Sequence, residues 1–377
     1  MKVSAVVGWV SMGLAACSGE VSEAGGDGGE GPTTGAAGTM LNGAGGSTVG
    51  SAGPSTTTGP GGSTTTGSGG SASGGGGSAG TAPSGPTDYA PYLPTWAWGG
   101  GGYAYSSLVD LKSKSGLDQV TIAFVLSGGT CRASGEVGQH LSDIKAFMAA
   151  GGHVKASFGG ASGTYVESGC ADATALAKAI GDFVTATGIT DLDFDIEQDT
   201  WLTDSANDMR AKALKMVQDS KNIKVAFTLE ALPATGLSDR GRSLVSRAVA
   251  AGVRVAHVNL MTMDYGDSFG GKPMAPVVIG SLNGVHYQLQ TLIPGLTSQQ
   301  AWAMVGVIPM IGKNDDSEIF SLADAKTVTQ FAIDNKLGLV SFWSIDRDQP
   351  CGSGREACNS VSTTNFEFTR IFAAAAP

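Results

Sequence analysis

From Tyr89 onward the chain alternates short apolar runs with amphipathic windows. The apolar runs are Tyr92–Trp98, Gln119–Leu126, His153–Phe158, Leu192–Glu197, Ile223–Leu229, Val255–Met263, Met304–Ile311 and Leu337–Ile345, eight candidate strands. Between them, apolar residues recur at helical spacing over 142–150, 173–187, 205–219, 243–251 and 322–336, with a last window near 366–374. Gly151-Gly152 and Gly188 follow two of these windows, as expected where a helix ends in a left-handed residue. Eight strands alternating with helices predict a (β/α)8 TIM barrel, a fold of about 250 residues. A doubly wound open sheet is the rival, but it has fewer strands and a Gly-rich first turn. Acidic strand ends favour the barrel. The short connection between the seventh and eighth strands leaves room for one helix with loops, so a barrel without an α+β insertion is expected, with a shallow, open groove.

Glycine changes the picture of the N-terminal part. Of 58 glycines in 377 residues, 25 fall within residues 18–86, a stretch with no Lys, Arg or aromatic residue. Such a segment cannot bury enough apolar surface to offset the entropy of ordering, and it is expected to be a disordered Gly/Ser/Thr-rich linker. It repeats Gly-Gly-Ser and Thr-Thr-Thr without a Gly-X-Y period, which excludes collagen. As a flexible coil it would span on the order of 45 Å.

The net charge of −10 leaves residues 87–377 with 22 Lys/Arg against 29 Asp/Glu and no basic stripe. Nucleic-acid partners, which need clustered cations for the phosphates, are therefore not expected.

Lys2 precedes the apolar run Val3–Leu14, which ends in Leu14-Ala15-Ala16-Cys17. That run is shorter than the roughly 20 residues of a membrane span and has the form of a secretory signal. The cysteine after Leu-Ala-Ala resembles a bacterial lipobox. The resemblance implies a signal peptide over 1–16, lipidation of Cys17 and a lipid-anchored linker over 17–88, which leaves 89–377 for the barrel. Ser18 in place of aspartate then implies the outer membrane, or the cell envelope and its exterior more broadly. An ordinary signal peptide with an incidental cysteine is the alternative.

Lipidation would leave four of five cysteines, Cys131, Cys170, Cys351 and Cys358, enough for two disulfides in an oxidising compartment. Cys351 and Cys358 close a short loop and are expected to pair, leaving Cys131 with Cys170. Zinc is the alternative, but no CxxC pair or HxxxH spacing accompanies them. His140, His153, His257 and His286 share no spacing and are assigned no catalytic role.

The chemistry is concentrated in Thr190-Asp191-Leu192-Asp193-Phe194-Asp195-Ile196-Glu197. Side chains alternate faces along a strand, so Asp193, Asp195 and Glu197 point one way and Leu192, Phe194 and Ile196 the other. Three like charges inside a barrel repel, which holds at least one carboxyl protonated near neutral pH. A proton-donating glutamate is what cleavage of a glycosidic bond requires.

With that strand, the sequence resembles glycoside hydrolase family 18, the chitinases and endo-β-N-acetylglucosaminidases. The DxDxE core of the family's DGxDxDxE signature is intact, with Thr190-Asp191 replacing Asp-Gly. The third-strand SxGG signature stands as Ser157-Phe158-Gly159-Gly160, and Ser341-Phe342-Trp343-Ser344 is similar to the tryptophan floor of the eighth strand. The sixth strand departs from the family's Met-x-Tyr-Asp: Met261-Thr262-Met263-Asp264-Tyr265 puts Met263 where the tyrosine should be. Tyr265, two residues on, is the favoured substitute, with Asp264 as the other.

The resemblance implies a substrate-assisted mechanism without metal or cofactor, in which the sugar's own 2-acetamido oxygen is the nucleophile. Glu197 would be the general acid/base, and Asp195 would accept from the acetamido N–H. Asp193, with Ser157 nearby, would share a proton with Asp195, and Tyr265 would hold the acetamido carbonyl. Trp343 would carry a sugar ring. Trp98, at the end of the first strand, is a further substrate-binding candidate, while Trp96 and Trp302 are weaker ones. Asn314 or Asp315 could reach the cleft from the loop after the seventh strand, simple turn chemistry being the alternative. The implied substrate is chitin or an N-acetylglucosamine oligosaccharide, cut internally by a monomer whose only membrane contact is the lipid anchor. Two rivals remain: an endo-β-N-acetylglucosaminidase on N-glycans, and a non-catalytic chitin-binding lectin on the same barrel. The lectins typically lose the last glutamate of the motif, and Glu197 is present.

Overall fold

The computed structural model describes residues 87–99, 102–133, 135–352 and 357–376. Cys17, the signal peptide over 1–16 and the linker up to residue 86 lie outside the described residues. The strands are β1 (Asp88–Tyr89), β2 (Tyr92–Pro94), β3 (Gln119–Val125), β4 (His153–Gly159), β5 (Asp191–Asp195), β6 (Lys224–Leu232), β7 (Gly236–Leu237), β8 (Val255–Met261), β9 (Val305–Ile308), β10 (Gly312–Lys313), β11 (Ile319–Phe320) and β12 (Leu339–Val340). The helices are α1 (Leu108–Ser115), α2 (Leu141–Ala149), α3 (Ala173–Thr187), α4 (Asp204–Ser220), α5 (Asp239–Ala250), α6 (Ala275–Leu292), α7 (Ser298–Trp302), α8 (Leu322–Asn335) and α9 (Glu367–Phe372).

Parallel pairing runs in the order β1–β12–β9–β8–β6–β5–β4–β3–β2, and β1 and β2 are two pieces of one first barrel strand separated by Ala90-Pro91. The sheet closes because that strand is bonded on both sides: Asp88 and Tyr89 pair with Leu339 and Val340, while Tyr92 and Leu93 pair with Thr121 and Ile122. This is the predicted (β/α)8 architecture, and all eight apolar runs contribute a strand. β7 adds an antiparallel pair to β6, and β10 and β11 form a separate hairpin.

Period-two alternation explains the layers. Phe158, Phe194 and Phe227 turn outward from β4, β5 and β6, the first two rings stacked 5.0 Å apart. There they meet helix faces such as Leu176, Ile180 and Phe183 of α3. That helix forms where it does because Asp172 accepts from the Ala175 N–H at its start and Gly188, at φ 80°, ends it. The alternate residues point into the barrel, and most are polar: Lys155, Ser157, Asp191, Asp193, Asp195 and Thr228.

At the N-terminal end of the barrel, Lys155 Nζ lies 2.8 Å from Asp191 and 3.1 Å from Asp88, all on inward positions. The two carboxylates keep this buried ammonium charged, against the desolvation that opposes it. Cys131 is bonded to Cys170 and Cys351 to Cys358, the expected pairing. Among the described residues no helix is long and apolar enough to cross a membrane, and no cluster of His, Cys, Asp and Glu could hold a metal ion.

The first strand is shorter than expected. It stops at Pro94, and Thr95–Ala97 form a turn of 3-10 helix, so the run over 92–98 does not continue as a strand. That turn decides where the two neighbouring tryptophans go.

Candidate active site

β5 carries the site in ascending layers. In the middle layer, Asp193 is buried and accepts four hydrogen bonds. Oδ2 takes them from Tyr92 Oη at 2.8 Å and Ser157 Oγ at 2.7 Å; Oδ1 takes them from Thr228 Oγ1 at 2.8 Å and Asn259 Nδ2 at 3.3 Å. Burial raises the pKa of this carboxyl, and the Ser157, Tyr92 and Thr228 donors oppose the rise.

One layer up, Asp195 is equally buried, yet its Oδ1 has no hydrogen-bond partner. Burial first, then the charges of Glu197 and Asp193, push its pKa well above the ordinary carboxylate range. Asp195 also lines the cleft, which puts its carboxyl within reach of a bound sugar. Glu197 stands at the cleft wall, its pKa raised to about 7 by burial and then by the charge of Asp264. It can hold a proton near neutrality and still release it.

The local backbone is fixed by a tyrosine the sequence reading did not single out and by the glycine pair of the third-strand signature. Tyr165 Oη donates to the Gly160 and Asp195 carbonyls, at 2.8 and 3.2 Å, and accepts from Glu197 N at 3.1 Å. The glycine pair has a steric reason. Gly159, at φ 112°, would place a Cβ 2.0 Å from the Asp195 carbonyl, and Gly160, at φ 93°, would drive one into the Phe124 ring. Only glycine lets β4 approach the catalytic strand this closely.

A cleft of about 250 Å³ opens above these carboxylates. Its aromatic side is Trp96, Phe124 and Trp343, with the Phe124 and Trp343 rings stacked 5.8 Å apart at 14°. Its other apolar side is Met261, Met263, Ile308 and Met310. Tyr92, Thr228, Asp264 and Asp315 supply the remaining polar groups.

The expected site residues divide on this geometry. Glu197, Asp195, Trp343, Asp264 and Met263 line the cleft together. Ser157, expected near Asp193, is fully buried beneath the cleft and donates to Asp193 Oδ2; it does not line the cleft. Tyr265 is a correction too. β8 ends at Met261, and Asp264 at φ 49° turns the chain, so the strand's alternation does not carry on to Tyr265. Its hydroxyl lies 3.0 Å from Ser281 Oγ of α6, its ring packs on Phe269, and it does not line the cleft.

Trp98 is likewise outside. Its Nε1 donates to Asp143 at 2.8 Å and its ring stacks on His140, because the 3-10 turn after Pro94 directs it to α2. The same turn sends Trp96 over the cleft, 60% exposed. Asn314 is buried and organises its loop: Nδ2 donates to the Met310 and Gly312 carbonyls, and Oδ1 accepts from Asp264 N. Its neighbour Asp315 lines the cleft, and the Asp315 N–H donates to Asp264 Oδ1 at 2.9 Å.

The barrel has counterparts among solved structures. The catalytic domain of a hyperthermophilic chitinase from Pyrococcus furiosus superposes with a TM-score of 0.69 at 30% identity, over 79% of this chain and 96% of that one. The chain belongs to glycoside hydrolase family 18. Two curated relatives agree with this membership: a probable bifunctional chitinase/lysozyme of Escherichia coli (strain K12) and endochitinase 11 of Metarhizium anisopliae, each 35% identical. The alignments cover 71% and 66% of this chain but only 32% and 51% of those proteins, so the chain spans about a third to a half of their length. A more distant family 18 chitinase from Chromobacterium violaceum, at 16% identity and a TM-score of 0.52, shares the fold. No family model matches the chain.

Proposed function

We propose that this family 18 barrel cuts β-1,4-linked N-acetylglucosamine polymers internally, with chitin as the substrate. The observation that carries the reading is the pair Asp195 and Glu197: an unpartnered buried acceptor beside a carboxyl whose pKa is raised to about 7. The resemblance to the Pyrococcus furiosus chitinase, also solved in complex with chito-oligosaccharides, supports the same substrate class.

Glu197 gives its proton to the glycosidic oxygen as the C1–O bond breaks. The acetamido carbonyl oxygen of the same sugar attacks C1 from the opposite face, closing an oxazolinium ring. The acetamido N–H, made more acidic by that step, donates to Asp195 Oδ1. Asp193, held in place by four donors, acts on Asp195 through its charge, which helps to raise the Asp195 pKa. Glu197, now ionised, takes a proton from the water that opens the ring at C1. Each step inverts the anomeric carbon, so configuration is retained overall. No phenol from the sixth strand reaches the cleft; the alignment of the acetamido group falls to Asp195 and the apolar walls.

Hydrolysis of a soluble N-acetylglucosamine oligomer, followed by NMR from the first turnovers, tests this. The β-anomer should form first; the α-anomer first would exclude the substrate-assisted route. Glu197→Gln should lower turnover by about 10²–10⁴ while binding persists. Efficient release of N-glycans from glycoprotein with chitin oligomers left intact would move the activity to endo-β-N-acetylglucosaminidase. Binding of oligomers without hydrolysis would make the barrel a lectin.

We also propose that the chain is exported and held by lipid on Cys17. The support is the sequence alone: the short apolar run after Lys2 and the Leu-Ala-Ala-Cys ending. A diacylated anchor is stable because each buried CH₂ contributes about 0.8 kcal/mol. Detergent partitioning of the mature protein, abolished by Cys17→Ser, is the expected result. A fully water-soluble mature chain without lipid would overturn it.

A further inference from the structure

Resting on the proposed chitinolytic reading, we propose that the site accepts N-acyl groups longer than acetyl, up to about four carbons, because its acyl-facing wall is built of flexible methionines. The cleft has two apolar sides of different character. Trp96 comes from the turn after the first barrel strand, Phe124 from the second strand and Trp343 from the segment after the eighth, and they present flat, stiff faces suited to a pyranose ring. Met261, Met263, Ile308 and Met310 come from the ends of the sixth and seventh strands. Met261 and Ile308 are register partners across β8 and β9, Met263 packs on the cluster of Tyr92, Ala123 and Ile308, and Met310 stands beside Trp343, so the methionine side adjoins the aromatic side.

The amide of the bound sugar is oriented by Asp195. Its N–H is met by the Asp195 carboxyl at the cleft floor, and its carbonyl must turn back onto C1. The ring face occupies the aromatic side, so the acyl carbon chain is left to the methionine side.

A rigid pocket shaped for a methyl group discriminates by about 10–200-fold per methylene. This wall is not rigid. Methionine is unbranched, with three rotatable bonds and a polarisable sulfur, and it re-packs around different occupants; promiscuous binding surfaces use it for that reason. Met261 and Met263 are only partly buried, so their side chains can swing toward solvent without opening a cavity in a closed core. None of the four side chains offers a hydrogen bond that a longer chain would break.

The test compares N-acetyl and N-butyryl chito-oligosaccharides of equal length on the full chain. Binding is read by calorimetry on Glu197→Gln, which separates recognition from chemistry. The butyryl ligand should bind within about fivefold of the acetyl ligand, and wild-type kcat/KM should differ by less than about tenfold, below the penalty that two methylenes meet in a fixed pocket. Met263→Phe, which substitutes a stiff ring, should widen the butyryl-to-acetyl binding ratio by about tenfold.

Butyryl binding weaker by more than about 30-fold, or a ratio unmoved by Met263→Phe, would overturn the inference. If acetyl oligomers bind but are not cut, the proposed hydrolysis fails while the binding ratio still decides this point. Failure of both ligands to bind would overturn both.

Discussion

Asp193 and Asp195 stand two residues apart on the same face of β5, and their hydrogen bonding is opposite: Asp193 accepts from four side chains, while Asp195 Oδ1 accepts from none. The first is a support and the second a tool. Removing each should therefore be felt in different measurements.

Asp193→Ala leaves the buried donors of Tyr92, Ser157, Thr228 and Asn259 without their acceptor. At about 1–3 kcal/mol for an unsatisfied buried group, the fold should lose several kcal/mol, visible in chemical denaturation. Asp195→Asn should keep the unfolding midpoint within about 1 kcal/mol and lower kcat on the order of 10²-fold, as for loss of one preorganised polar contact to the transition state. Equal stability losses in the two variants would contradict the division.

Glu197 must be protonated to act, and its pKa is raised to about 7. The alkaline limb of kcat/KM should accordingly fall through about pH 7. The charge of Asp264 is the second cause of the rise after burial, so Asp264→Asn should move that limb to lower pH. A limb unchanged or moved upward would show that Asp264 does not act on Glu197.

The same shift predicts a stability effect of definite sign. Glu197 binds its proton more tightly folded, at about 7, than unfolded, near 4.5. Its favourable contribution is complete below about pH 4.5 and is lost as pH rises through about 7, because the unfolded chain gives up the proton first. Glu197→Gln removes that dependence. Calorimetry should find the variant close to wild type at pH 4 and more stable than wild type at pH 8; the reverse order would refute the shift.

Trp96 and Trp98 should separate in the same way. Trp96→Ala removes an exposed ring at the cleft and should raise KM for oligomers several-fold with little change in melting temperature. Trp98→Ala removes a donor to Asp143 and the stack on His140, and should cost about 3 kcal/mol or more of stability, typical of deleting a packed tryptophan. Oligomer KM should change little in protein that remains folded.

The barrel was legible because eight β-periodic runs have a helical window in five of the seven gaps between them and another after the last, a signal that survives errors at individual boundaries. The carboxylates were legible because β5 keeps strict alternation from Asp191 to Asp195. Reading failed where alternation stops. Alternation carried two residues on from Met263 points to Tyr265, but Asp264 at φ 49° breaks the count. The apolar run over 92–98 puts Trp98 at a strand end, but Pro94 already terminates the strand. Tyr165 clamps the Asp195 backbone from a loop with no periodicity, so no local pattern could announce it. α6 was missed because Pro276 near its start and Gly280 and Gly284 in its interior weaken the helical signature.

The pairing of Asp88 with Leu339 bears on how the protein is made. The first and last barrel strands are among the earliest and latest parts of the domain to leave the ribosome, so the sheet stays an open, growing ribbon for most of synthesis. Until Leu339 and Val340 emerge, both outer strands present unpaired amides, the kind of edge that recruits other chains. Trp343 arrives only with that final segment. A message cut short by even a tenth of its length at the 3′ side would therefore yield a catalytic strand in an unsealed sheet: an aggregation hazard rather than a weaker enzyme.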